Sequence, residues 1–99
     1  MMFDKMKAFM EMKKQAEGLK RELDSVNIEV SEVRGIKIVV SGSQNFQSIE
    51  IAPELLSGEN QKRLENDLLR ALNSAIRKSQ NLAAQKMKAM TGFNIPGLN

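Results

Sequence analysis

Residues 25–51 read SVNIEVSEVRGIKIVVSGSQNFQSIEI, and the period of this stretch decides the fold. Val26, Ile28 and Val30 alternate with Asn27, Glu29 and Ser31, the pattern of a half-buried strand over 26–33. Arg34-Gly35 supplies a turn, and Ile36-Lys37-Ile38-Val39-Val40 opens a second strand over 36–41, the most β-branched run of the chain. Val39 places an apolar group opposite Ile38 and Val40, so this strand is expected to be central and covered on both faces. Ser41-Gly42-Ser43-Gln44-Asn45 is a second turn, and a third strand covers 46–51 with Ile49 and Ile51 on one face. Connections this short fit hairpins and leave no room for crossover helices, so the middle is a three-stranded antiparallel meander.

The flanks switch to a helical period. Residues 3–24 repeat Phe9, Met12, Ala16, Leu19 and Leu23 at three- and four-residue spacing. Pro53 starts a short turn over 53–56 that Gly58 can end. A longer helix over 60–90 begins at Asn60, a good N-cap, and carries Leu64, Leu68, Leu72, Ala75, Ile76, Leu82, Ala83 and Met90 on its apolar side. A tail over 91–99 follows Thr91-Gly92. The fold class is α+β: long helix, three-stranded antiparallel meander, long helix, in a single domain over 1–99.

Helix lengths of about 33 and 45 Å exceed a strand of roughly 20 Å, so both helices outrun the sheet. Chain order brings the start of the first beside the end of the second, as paired projecting arms. Ser79 and Lys86 interrupt the apolar face of the second helix, a sign that this part is uncovered. A small sheet with such arms leaves apolar surface over, and a two-fold homodimer is expected to bury Val39, Leu68, Leu72 and Ile76.

Composition narrows the chemistry. The chain has 99 residues, 41% of them hydrophobic and 27% charged, with no Cys, His, Trp or Tyr. Without His or Cys, zinc, haem and nucleophile–base pairs lose their usual residues; no cofactor, metal site or enzymatic activity is expected. No apolar run reaches the ~20 residues of a membrane span, and no signal-peptide layout is present, so a reducing cytoplasm is expected.

The net charge of +3 is unevenly spread. Residues 59–99 hold seven bases against three acids, and no acid follows Asp67. On a helical wheel Arg63, Arg70, Arg77 and Lys88 fall in a stripe about 40° wide, the face a polyanion backbone would meet. Lys78 and Lys86 of the same helix are further candidate contacts. The first helix adds Lys5, Lys7, Lys13, Lys14 and Arg21, diluted by Asp4, Glu11, Glu17 and Glu22. Phosphate contact by these residues would position the protein without reading sequence. A solvated helix face explains the same charges, so from the residues alone nucleic acid and protein partners stay equally open. Helix–hairpin–helix with long arms also describes prefoldin-like chaperones or scaffolds, with Phe3, Met6 and Met10 as the client surface. An interfacial membrane helix is the third reading, weakened by Asp4 and Glu11.

The pattern resembles the YbaB/EbfC family of bacterial nucleoid-associated proteins over nearly the whole chain. The Met- and Lys-rich first helix, the hairpin ending at Val40-Ser41-Gly42, and Ile49-Glu50-Ile51-Ala52-Pro53-Glu54-Leu55-Leu56 carry the likeness. Ala71-Leu72-Asn73-Ser74-Ala75 and the tail Asn94-Ile95-Pro96-Gly97-Leu98 add to it. The family more usually has an acid at the positions of Ala52 and Ser74, and richer glycine near Arg34-Gly35. The resemblance implies a tweezer-shaped homodimer that binds double-stranded DNA and helps organise the nucleoid.

Overall fold

The computed structural model describes the backbone of residues 2–91 and the side chains of 4–90. The side chain of Phe3 and the tail beyond Thr91 lie outside the described residues. Helix α1 (Met2–Ser25) leads into strands β1 (Asn27–Val30), β2 (Ile36–Ser41) and β3 (Phe46–Ile51). Two 3-10 turns, Pro53–Leu56 and Gly58–Asn60, then lead into helix α2 (Gln61–Thr91). The sheet is antiparallel with order β1-β2-β3, and the architecture is α+β.

Some boundaries differ from those read in the sequence. The first strand, expected over 26–33, is paired only from Asn27↔Ser41 to Val30↔Ile38. Ser31 to Arg34 leave the ladder because the chain turns tightly there: the Ile36 amide donates to the Val33 carbonyl at 3.1 Å, and Glu32 is drawn sideways to α2. Gly35 takes φ +86°, and a Cβ there would stand 2.7 Å from Leu55 Cδ1, so both backbone and space call for glycine. Helix α1 runs a residue further at each end than 3–24. Gly58 opens a second turn instead of only ending the first, so α2 starts at Gln61 and not Asn60. Asn60 donates its side-chain amide to the Glu54 carbonyl at 3.3 Å, tying the two turns together.

The core forms between α2 and one face of β1 and β2. Val30, Ile36, Ile38, Val40, Ala71 and Ala75 are buried, with Ile28, Val33, Leu55, Leu64, Leu68 and Leu72 packed around them. Positions 64, 68, 71, 75 and 79 recur at helical spacing, and the alanines among them let α2 lie close on the β-branched strand. The opposite sheet face does not share this burial within one chain. It carries Lys37 between Glu29 at 2.8 Å and Glu50 at 3.8 Å, beside a half-buried Val39.

Ser79 reverses an expectation. Its surroundings are not open: the residue is fully buried, and its hydroxyl donates to the carbonyls of Ser41 at 2.8 Å and Gly42 at 3.1 Å. A polar side chain on the apolar face here satisfies carbonyls at the buried end of β2. Gly42 meets α1 from the other side, where a Cβ would lie 3.0 Å from the Leu23 carbonyl oxygen. Asp24, Ser43, Ser41 and Asn45 extend the network across the turn. Thus α1, the β2–β3 turn and α2 are joined at one point.

Strand β3 is the uncovered part. A bulge after Val39 pairs Val40 with Phe46, which puts Phe46 on the same face as Ile49 and Ile51. Helix α2 lies over β2 and β1 instead, so Phe46 and Ile49 remain 43% and 46% exposed.

Candidate nucleic-acid interface

From the joint at Gly42 both helices run away from the sheet, held together by the Lys86–Glu22 ion pair at 2.6 Å. The molecule measures 68 × 25 × 17 Å. A 24-residue helix is about 36 Å long, so α1 lies along the long axis as an arm. Its last turns are anchored through half-buried Leu19 and Leu23; residues 4–17 are exposed throughout, including Met6, Phe9, Met10 and Met12.

On the wheel the stripe of Arg63, Arg70, Arg77 and Lys88 lies roughly 140° from the mean direction of buried Ala71, Ala75 and Ser79 and about 40° from buried Ser74, so it occupies the outer flank of α2 on the Glu32 side. It is less free of acid than the sequence suggests. Asp67, one turn from two of its members, pairs with Arg70 at 2.9 Å and Arg63 at 3.8 Å. Arg70 and Arg77 line one open groove with Asn73, Ser74, Glu32 and Val33. Lys78 turns from the stripe to Glu32, Nζ to Oε1 2.7 Å, and the Ser74 hydroxyl donates to the other oxygen at 2.6 Å. Hydrogen bonds from Lys78 and then Ser74, with the Lys78 charge, hold the Glu32 carboxyl below its ordinary range. On the far side of the sheet, the hydrogen bond and charge of Glu29, with Glu50 behind it, raise the Lys37 ammonium above its usual value.

Lys86 is therefore an internal ion-pair partner, and Lys88 is half-buried. Lys5, Lys7, Lys13, Lys14 and Arg21 are exposed and form no salt bridge among the described residues. Lys7, Lys13 and Lys14 share one surface with Phe9, Met10, Glu11 and Glu17. Asp67 is legible as a counter-charge from its spacing; Glu32 and Glu22, 42 and 64 residues from their partners, have no local signal.

Of the residues expected at a dimer interface, Leu68 and Leu72 pack against the chain's own core, and Val39 lies on the polar sheet face. Ile76 is half-buried on the flank of α2 towards β3. Leu69, Leu56, Phe46 and Ile49 are also exposed apolar side chains in this half of the molecule.

No described helix is long and apolar enough to cross a membrane, and no group of three or more metal-ligating side chains occurs among the described residues. The model of the YbaB/EbfC DNA-binding family matches residues 1–93. A nucleoid-associated protein of Pelotomaculum thermopropionicum is 36% identical over 95 residues, covering 94% of this chain and 90% of that one. One of Clostridium kluyveri is 37% identical over 97 residues, 94% of this chain and 83% of its own. One of Caldicellulosiruptor bescii is 39% identical over 72 residues, 72% of this chain and 64% of the relative. With helix, antiparallel meander and long helix in the expected order, the chain belongs to the YbaB/EbfC DNA-binding family.

Proposed function

We propose that this chain is a nucleoid-associated protein that binds double-stranded DNA as a two-fold homodimer and helps organise the nucleoid. The observation that carries this reading is the outer flank of α2, where Arg63, Arg70, Arg77 and Lys88 fall in one stripe with Asp67 and Glu32 as neighbouring acids. Arg70 and Arg77 are the central phosphate contacts, and Lys5, Lys7, Lys13, Lys14 and Arg21 add a second row along α1. Lys78 contributes through the groove beside Glu32; Lys86 serves chiefly to brace the arms. The names of the relatives support the nucleoid setting, and the uncovered face of β3 with Leu69 and Ile76 supports self-association.

Contacts of this kind release counterions. A dimer making ~6–8 phosphate contacts loses roughly a thousandfold or more in affinity between 50 and 200 mM salt. Gel-shift titration of unrelated duplexes over that range tests the reading, with an Arg70→Glu/Arg77→Glu double variant alongside. Flat salt dependence counts against electrostatic binding; unchanged binding by the double variant moves the site elsewhere. Exposed Met6, Phe9, Met10 and Met12 favour one second reading, a chaperone-like arm that holds apolar segments of other proteins. Under that reading, replacing Met6, Phe9 and Met10 by serine, and not the arginine reversal, abolishes activity.

A further inference from the structure

The groove between α2 and the β1–β2 turn holds an acid where the proposed DNA face needs a base. Glu32 follows the last paired residue of β1 by two positions and reaches across to α2. Its two oxygens take different donors, Oε2 from Ser74 at 2.6 Å and Oε1 from Lys78 at 2.7 Å. The Arg77 charge also acts on it, and Arg70 and Asn73 stand along the same groove. A hydroxyl and an ammonium donating to two anionic oxygens, with a guanidinium charge nearby, are the groups that a phosphodiester also accepts. Yet the carboxylate is not a buried structural ion, since its side chain is 54% exposed and the groove is open to solvent.

From this we infer that Glu32 is a built-in stand-in for a DNA phosphate, filling a phosphate seat made by Ser74, Lys78 and Arg77 until DNA displaces it. The inference rests on the DNA-binding reading and adds to it a particular seat and a competitor. On binding, the carboxylate swings into solvent and the phosphate takes the Ser74 and Lys78 donors. No bond is made or broken beyond these hydrogen bonds. The free protein thereby keeps both donors satisfied, and binding is weaker than the bare seat would give.

Glu32→Gln removes the competing charge while keeping an acceptor for Ser74. Glu50→Gln makes the same change in net charge on the far sheet face, beside Lys37, and serves as the matched control. Anisotropy titrations of a short labelled duplex over a salt series are expected to show Glu32→Gln binding on the order of tenfold tighter at low salt, with a slope close to that of the wild type because the same phosphate contacts form in both. Glu50→Gln should shift affinity much less and leave the slope unchanged, and adding Ser74→Ala and Lys78→Gln to Glu32→Gln should erase the gain. Equal shifts for the two single variants, or a gain that survives Ser74→Ala and Lys78→Gln, overturn the seat. Absence of DNA binding by the wild type overturns the reading beneath it. Should Glu32→Gln lose its fold, carboxyl-carbon NMR of the wild type decides: the Glu32 signal moves towards that of a solvated glutamate as DNA is added, and a signal that stays in place refutes the exchange.

Discussion

Placing the self-association face on β3 makes Ile49 the residue to disturb. It sits on the apolar side of β3, paired with Ile38, and 46% of its surface is exposed in the single chain. Full burial of an isoleucine is worth about 1.5–3 kcal/mol, so covering the exposed share contributes roughly 0.7–1.4 kcal/mol from each copy. A two-fold contact uses the residue twice, about 1.4–2.8 kcal/mol, or roughly ten- to a hundredfold in the dimer dissociation constant. Ile49→Lys forfeits this and sets two ammonium groups near the axis, so the loss should reach or exceed that range. Sedimentation equilibrium over a concentration series measures it, with circular dichroism to establish that the strand still pairs. Val39→Lys, on the polar sheet face, is the counterpart and should leave the dimer intact. An unchanged dissociation constant in Ile49→Lys, or dissociation caused by Val39→Lys, refutes the placement.

Further consequences are open to direct measurement. Ser79→Ala strips the donor from two carbonyls at the buried end of β2, and denaturant unfolding should show a loss of about 1–3 kcal/mol. Glu32 has a lowered folded-state pKa, so its contribution is complete above the ordinary carboxylate range and is lost as pH falls through the lowered value. Lys37 is raised, so its contribution holds below the usual lysine range and disappears as pH rises through the folded value. Thermal unfolding across pH should therefore show Glu32→Gln flattening only the acid limb and Lys37→Met only the alkaline limb.

The meander is legible because period-two alternation and two short turns are local properties. Ile36, Ile38 and Val40 announce themselves as a buried strand without knowledge of what covers them. The cover itself is less legible. Val39 has the same chemistry as Val40, but only the position of α2 makes one a core residue and leaves the other beside Lys37. Ser79 is the sharpest case. A serine on an apolar stripe reads as exposure, while its actual role depends on carbonyls 37 and 38 residues earlier in the chain. The basic stripe survives as a geometric object because 3.6-residue periodicity fixes it. Its electrostatics change because Glu32 and Glu22 arrive from distant segments, whereas Asp67 could be placed from its spacing to Arg63 and Arg70 alone. The bulge that turns Phe46 to the apolar face likewise needs the register of two strands, which a single strand's pattern does not contain.

The joint at Gly42 also orders events during synthesis. Helix α1 precedes the sheet and α2 in the chain, but its attachments are the Gly42 turn and Lys86, near the end of α2. At ~5–20 residues per second, the ~60 residues between Ser25 and Lys86 take roughly 3–12 s to appear. During that interval the arm lacks the Lys86 brace that ties Glu22 to α2. The nascent chain thus presents this arm segment before the part of α2 that braces it. The acids and lysines interleaved along α1 keep that segment soluble while it waits, before any DNA is met.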